Sequence, residues 1–164
     1  MEEKKKKSCE EAALNKLSYR MRTEKEIRDF LKAEEYQYDE IEATIEFLKM
    51  AKYLDDEHYV CEFYRASRQK SWADQRIIKA LSEKGIDKAF AKNVIEDYKE
   101  TDDYNGEKSD EALAKAVAEK MIKDQLSLGK PMDDKFLAKI GRRLASLGYN
   151  PGIIYGIINS CKKI

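Results

Sequence analysis

Apolar positions recur at helical spacing on both sides of a glycine near the middle of the chain. Ile77 and Leu81 lie four residues apart before Gly85, and Ala91 and Ile95 follow it with the same spacing. Gly85 falls where a helix-ending residue adopts positive φ, a conformation that glycine enters without steric cost. The pattern therefore predicts two helices joined by a tight corner at Gly85.

The residues next to this glycine support the same interpretation. Leu81 and Ile86 are the apolar pair expected across such a helix end. Asp87 is placed to cap the first turn of the following helix. Local chemistry and apolar spacing thus predict the same corner.

The corner recurs twice, around Gly148 and around Glu35. After Gly148, Asn150 takes the capping place of Asp87, and Pro151 falls at the first helical position, where a missing N–H does no harm. A non-glycine residue at positive φ costs about 1 kcal/mol, so Glu35 leaves open a different closure for the first corner. The other matching positions are Ile140, Leu144, Ile154, Ile158 and Cys161 around Gly148, and Ile27, Leu31, Ile41, Ile45 and Leu48 around Glu35.

Three copies in register indicate an internal repeat, the signature of a modular helical array. We predict an all-α protein of nine helices, arranged as three tandem three-helix repeats that resemble helix-turn-helix units. The predicted divisions are a basic disordered tail at 1–8, repeats at 9–53, 54–100 and 109–164, and a polar linker at 101–108.

Short polar motifs mark several helix starts. Thr23 and Glu26 form a capping box before the second helix, and Asp55 is placed to cap the fourth. Ser71 and Asp74 resemble another capping box, with Trp72 inside it. We expect Trp72 to staple this helix start against the neighbouring helix, with exposed base stacking as the alternative. Gly129-Lys130-Pro131 ends the seventh helix and Asp133 starts the eighth.

Charge and composition narrow the function classes. The chain is 39% charged with zero net charge, but residues 107–164 carry 11 Lys and Arg against 7 Asp and Glu. A basic C-terminal module indicates a polyanionic partner that contacts this part of the chain. Three widely spaced cysteines form no metal-ligand pattern, and no apolar run approaches 18 residues. We therefore expect a cytoplasmic protein with no metal, no other cofactor and no membrane contact.

An enzyme is the least favoured class. The chain has a single histidine, His58, and no glycine-rich phosphate loop, nucleophile elbow or ligand cluster.

At this point three segments, in this order and spacing, resemble the RecX family, whose members regulate the bacterial recombinase RecA. They read Arg20-x-Arg22-Thr23-x-x-Glu26-Ile27, Tyr53-Leu54-Asp55-Asp56 followed by Tyr59 and Phe63, and Lys70-Ser71-Trp72-Ala73 followed by Arg76-Ile77, Leu81 and Lys84-Gly85-Ile86. The resemblance covers about residues 9–163. Ser71, Ala73 and Glu35 stand where glycine is common in the family, so local loop geometry is expected to differ there.

The resemblance implies a function and a shape. It implies a curved, elongated array that lies in the groove of the RecA–DNA filament and mainly inhibits ATP hydrolysis and strand exchange, in DNA repair, recombination and SOS control. The implied partners are the RecA filament and, weakly, DNA. The family has no catalytic residues, and we expect a monomer.

We assign the partner contacts to basic side chains near helix starts and between repeats. Arg142 and Arg143 are the favoured pair, because they lie in the basic module between the apolar positions Ile140 and Leu144. The full predicted set is Arg20, Arg22, Arg65, Arg68, Lys70, Arg76, Lys130, Lys139, Arg142 and Arg143.

Two alternatives remain open beside filament regulation. One is direct DNA binding by a helix-turn-helix-type protein, although the helix after Gly85 is acidic or apolar where base-reading side chains are needed. The other is a generic helical-repeat scaffold for a different protein.

Overall fold

The structure, a computed structural model, describes residues 5–104 and 108–163 of the 164-residue chain. Regular structure within those ranges is entirely helical, which confirms the predicted fold class. The start of the predicted tail and residues 105–107 of the predicted linker lie outside the described residues. For residues 5–104 and 108–163, no helix is long and apolar enough to cross a membrane.

Nine α-helices and one short 3-10 helix make up the described part. The α-helices are α1 (Cys9–Leu17), α2 (Glu24–Ala33), α3 (Tyr38–Met50), α4 (Asp56–Gln69), α5 (Asp74–Glu83), α6 (Lys88–Lys99), α7 (Asp110–Ser127), α8 (Asp134–Ser146) and α9 (Pro151–Cys161), and the 3-10 helix is Asp102–Tyr104.

Most predicted helix starts are confirmed. The Thr23–Glu26 capping box is complete, with both reciprocal hydrogen bonds present. The Asp55 carboxylate accepts from the His58 N–H at 3.0 Å, and Asp87 accepts from the Phe90 N–H at 3.1 Å. Asp133 and Asn150 cap α8 and α9 in the same way. Each cap satisfies an N–H that the helix itself leaves unpaired.

The three corners share one backbone hydrogen-bond pattern. The N–H of Tyr36 donates to the carbonyl of Leu31 at 3.2 Å, and the pairs Ile86–Leu81 and Tyr149–Leu144 repeat this bond at 3.0 and 3.3 Å. Gly85 and Gly148 have φ of 86° and 92°, and Glu35 has φ of 63°. The first corner therefore closes like the others and holds a glutamate in the left-handed region.

Three further helices end with the same bond. The sequence pattern predicted the end of α7 at Gly129, but it did not predict left-handed residues after α3 and α4. Lys52, Ser71 and Gly129 have φ of 60°, 61° and 65° after α3, α4 and α7. The predicted Ser71–Asp74 capping box is wrong. Ser71 belongs to the end of α4, and α5 begins only at Asp74, so the Ser71 hydroxyl is not placed to cap it.

The chain divides into two compact units. The first draws on Met1–Glu62 and Ala80–Ile95, and the second on Phe63–Lys79 and Glu96–Ile164. Helices α4, α5 and α6 each contribute one end to each unit. The repeat boundaries predicted above divide the chain differently, by sequence similarity, and stay a prediction.

Each unit contains a three-helix core. In the first, α1, α2 and α3 contact one another, and in the second α7, α8 and α9 do so. The first core comprises Cys9, Ala12, Ala13, Ile27, Leu31, Ile41, Ile45, Leu48 and Leu54. The second comprises Ala73, Ala114, Ala118, Phe136, Leu137, Ile140, Leu144, Leu147, Tyr149 and Cys161. The apolar positions that predicted the corners thus supply much of both cores.

Candidate partner-binding surface

In the first unit, the start of α2 packs on the corner at Gly85. The Thr23 hydroxyl donates to the carbonyl of Lys84 at 2.7 Å. The Lys25 side chain lies directly over the glycine, so that a Cβ at Gly85 would come within 2.5 Å of the Lys25 Cβ. We call this contact seam 1. Glycine is needed there both for its positive φ and for the close approach.

In the second unit, the start of α5 packs on the corner at Gly148 in the same way. The N–H of Ala73 donates to the carbonyl of Leu147 at 2.9 Å. A Cβ at Gly148 would lie 2.5 Å from the Arg76 Cβ and 3.3 Å from its backbone. We call this contact seam 2. In both units the start of a middle helix packs on the following corner, and a carbonyl just before the glycine accepts the hydrogen bond.

Seam 2 carries two further hydrogen bonds. The Tyr149 hydroxyl donates to the carbonyl of Ser71 at 2.6 Å, and the Arg76 guanidinium donates to the carbonyl of Ser146 at 2.6 Å. Burial raises the pKa of Tyr149 to about 12. The phenol therefore stays neutral, and able to donate, well above neutral pH.

Trp72 is part of seam 2. The Arg76 guanidinium stacks 3.9 Å from the centre of its indole ring, and the Phe63 ring of α4 meets it edge-on at 6.3 Å. The contact with α4 confirms the predicted staple. Arg76 covers one face of the ring, so that face is not open to a nucleic-acid base.

Arg68 is buried rather than presented to a partner, and it is 6% exposed. Its guanidinium donates to the Asp74 and Asp110 carboxylates and to the carbonyls of Trp72 and Lys108. Burial opposes its charge, but the bond to Asp110 and the nearby anionic groups raise the pKa of Arg68 overall. Arg68 therefore links the residues just before α7 to the loop between α4 and α5. Because it is buried, we remove it from the predicted set of contact residues.

Asp74 is shared by other members of this buried network. Its carboxylate also accepts from the Tyr64 hydroxyl at 2.8 Å and from Lys99. Burial, reinforced by the Asp74 charge, raises the pKa of Tyr64. Sequence reasoning missed this network because Asp110 is 42 positions away from Arg68.

Of four more predicted residues, three are engaged within the protein and the fourth, Arg22, is half-buried. Arg20 pairs with Glu26 at 3.0 Å, and this hydrogen bond raises the pKa of Arg20. Arg65 donates to the Tyr98 hydroxyl at 3.3 Å, and Arg76 belongs to seam 2. Arg22 is half-buried, and its Nε has no hydrogen-bond partner among the residues that the structure describes.

The remaining five predicted residues are exposed, and all belong to the second unit. Lys139, Arg142 and Arg143 lie on α8, whereas Lys70 and Lys130 lie on the loops that follow α4 and α7. Lys135 is also exposed and precedes Lys139 by four residues, so it shares its face. The sequence prediction left Lys135 out, although this spacing indicates it.

We call Lys135, Lys139, Arg142 and Arg143 the basic ridge. Beyond Asp134, α8 contains no acidic residue. Across the ranges 5–104 and 108–163, none of the four makes an ion pair. The opposite side of α8 is buried through Phe136, Leu137, Ile140 and Leu144. The ridge is therefore a run of unneutralised positive charge on a rigid helix.

Comparison with known proteins identifies the family. The first three-helix domain of RecX matches residues 9–48. The regulatory protein RecX of Clostridium botulinum (strain Eklund 17B / Type B) is 34% identical over 152 residues, which are 92% of this chain and 66% of that protein. The chain belongs to the RecX family.

Other RecX proteins agree in sequence and in fold. RecX of Oceanobacillus iheyensis is 31% identical over 87% of this chain and 49% of its own length. The crystal structure of RecX from Lactobacillus salivarius has a TM-score of 0.72 and 27% identity, covering 95% of this chain and 96% of that one. The chain spans about two thirds of the clostridial relative. The relatives from Clostridium and Oceanobacillus are named as regulatory proteins, and membership in this family confirms the prediction that the chain is not an enzyme.

Proposed function

We propose that this chain binds in the groove of the RecA–DNA filament and mainly inhibits the recombinase, slowing its ATP hydrolysis and strand exchange. The observation that carries the proposal is membership in the RecX family across 92% of the chain. Weak contact with DNA through the basic ridge is part of the proposal.

The construction of the two units supports this use. Seams 1 and 2 each pack the start of one helix on the corner of the next module, as in repeat proteins that bind along extended partners. The basic ridge supplies positive charge for the phosphates of a nucleoprotein filament. Neither feature needs a cofactor.

The proposed contact residues follow from exposure. Arg142, Arg143 and Lys139 are the central set, because they are exposed, unpaired in the described ranges and carried by one helix. Lys70 and Lys130 are exposed on loops of the same unit and complete the set. Arg20, Arg22, Arg65 and Arg76 keep a secondary place, since each is held by contacts within the protein or half-buried.

The test is the DNA-dependent ATPase of the cognate recombinase, titrated with this protein. Wild type is expected to inhibit. Arg142→Ala with Arg143→Ala should require at least about tenfold more protein for half-inhibition, which is about 1.4 kcal/mol of lost contact energy. Circular dichroism should be unchanged, because both side chains are exposed.

Lys120→Ala with Lys123→Ala is the matched control, since it removes two exposed positive charges from α7. It should inhibit like wild type. ATPase activity indifferent to excess wild-type protein would refute the proposed function. Inhibition unaltered in the Arg142/Arg143 variant would refute the assigned surface alone.

Direct reading of DNA bases is less well supported. In helix-turn-helix proteins the second helix of the motif carries the base-reading side chains. Here α9 contains no charged residue, and α3 carries Asp39, Glu40, Glu42 and Glu46. A filter-binding assay without recombinase separates the two functions, because tight, sequence-selective binding would favour this alternative.

A further inference from the structure

Helix α3 of the first unit carries exposed apolar side chains on the side that faces away from the core. Met50 is 84% exposed and Phe47 is 40% exposed, and Ala43, one turn before Phe47, is exposed as well. Residues at i, i+4 and i+7 of a helix lie on the same side of it. We call Ala43, Phe47 and Met50 the α3 patch.

The other two repeats carry polar residues where α3 carries Phe47 and Met50. The three corners align the repeats without gaps, which defines the equivalent positions. These positions hold Asp97 and Glu100 in the second repeat, and Ser160 and Lys163 in the third. All four of those residues are exposed. The fold therefore does not require apolar side chains at these two positions, and their presence on α3 indicates a surface that a partner covers.

Acidic residues flank the α3 patch. Asp39 and Glu46 each lie four residues before a member of the patch, so they border it on the same helix. Across residues 5–104 and 108–163, neither of them makes an ion pair. The basic residue of this helix, Lys49, lies 3.6 Å from Glu24 and is paired with it. The negative charge beside the patch is therefore uncompensated, and it repels the phosphates of nucleic acid.

We propose that the α3 patch binds the protein subunits of the recombinase filament, on an apolar surface bordered by Lys or Arg side chains. The inference rests on the proposed function and adds a second contact site to it. Methionine and aromatic residues are enriched in the centres of protein–protein interfaces. Acidic flanks complement a basic border and disfavour nucleic acid as the occupant. The α3 patch then contacts protein, whereas the basic ridge contacts phosphate.

Polar substitution of the patch tests the proposal. Phe47→Asn with Met50→Gln removes apolar surface without changing the net charge, at positions where the other repeats carry polar residues. We expect at least about tenfold weaker binding to recombinase filaments assembled on single-stranded DNA, measured by cosedimentation. The affinity for the same DNA without recombinase, measured by fluorescence anisotropy in low salt, should be unchanged. Arg142→Ala with Arg143→Ala should weaken both.

Two further variants separate the apolar contact from the charge. Asp39→Asn with Glu46→Gln removes only the acidic flanks, and it should weaken filament binding by about threefold. Tyr38→Gln is the matched control, because it removes a 68% exposed aromatic side chain from α3 at a position outside the spacing of the patch. It should bind filaments like wild type. Circular dichroism should be the same for all variants, since the altered side chains are exposed.

The outcomes distinguish this inference from the proposed function. Wild-type protein that fails to bind the filament would refute the proposed function itself. Wild-type binding that the Phe47/Met50 variant retains in full would overturn the inference alone, as would an equal loss of affinity for DNA without recombinase. Tighter filament binding by the Asp39/Glu46 variant would exclude a basic border on the partner.

Discussion

Glu35 holds a backbone conformation that costs free energy. Its φ is 63°, and its side chain is exposed, so no buried contact offsets the strain. Gly85 and Gly148 occupy the equivalent position without this cost, and each lies beneath a side chain of the preceding module. The exposed Glu35 side chain meets no steric obstacle, so the cost at this position comes from the backbone conformation alone.

Replacing this glutamate should stabilise the protein. We expect Glu35→Gly to raise the free energy of unfolding by about 1 kcal/mol, and the melting temperature by about 2–4 °C for a chain of this size. Glu34→Gly is the control, because Glu34 has φ of −82° and gains nothing from glycine. A melting temperature that is unchanged or lower for Glu35→Gly would contradict the strain argument.

Alanine substitutions at two glycines with positive φ distinguish the cost of backbone strain from the cost of steric crowding. The new Cβ in Gly129→Ala meets no atom within 4 Å, whereas the new Cβ in Gly148→Ala collides with Arg76. Gly129→Ala should cost about 1–2 kcal/mol, and Gly148→Ala at least about 1 kcal/mol more. Urea unfolding of both variants measures the difference. Equal losses would show that seam 2 relaxes to admit a methyl group.

At the scale of elements, seam 2 should weaken in alkali. Tyr has a pKa near 10 in an unfolded chain, and burial raises that of Tyr149 to about 12 in the folded protein. The folded state therefore favours the neutral phenol. Its contribution to stability is complete below pH 10 and is lost as the pH rises towards 12.

Tyr149→Phe isolates this contribution. At pH 8 the variant should be less stable than wild type by about 1 kcal/mol, because it lacks the hydrogen bond to Ser71. The gap should close between pH 10 and pH 12, since Tyr64 and the other tyrosines are common to both proteins. Urea unfolding followed by Trp72 fluorescence measures it, and a gap independent of pH would exclude the proposed titration.

Sequence patterns predicted helix starts and ends correctly where a single short motif determined them. The glycine corners, the Thr23 capping box and the Asp133 and Asn150 caps are local, and all are confirmed. At Ser71 two local rules competed, since Ser-x-x-Asp favours a cap and the residue after a helix favours positive φ. The end of α4 determined the outcome, because Ser71 closes that helix with φ of 61°.

Contacts between residues far apart in the chain limited how well the candidate surface could be predicted from the sequence. Arg68 looked like the exposed basic end of a helix, and only its packing against Asp110, far along the chain, shows it to be internal. Arg142 and Arg143 could be placed correctly on an exposed face, because their neighbours Ile140 and Leu144 fix the buried side of α8. Exposure of a charged residue is predictable when apolar neighbours define its helix face.

At the scale of the whole molecule, the order of short sequence segments indicated the family. The distribution of charged residues along the chain indicated a basic C-terminal module. Three short segments in the right order indicated the family, and the relatives confirm it over 92% of the chain. The unequal charge of the two halves was visible in the sequence, but the exposure of Phe47 and Met50 on α3 and of Tyr155 on α9 was not. Those faces depend on which side of each helix the core covers.

The two seams have a consequence for how such a chain can grow. Residues 54–100 hold both halves of the joint: the corner at Gly85, which receives a helix start, and Ala73 with Arg76, which enter the next corner. A tandem duplication of this stretch would bring Ala73 and Arg76 of the first copy to the Gly85 corner of the second, where a helix start already packs in seam 1. The number of repeats in such a chain could then increase by one whole module at a time.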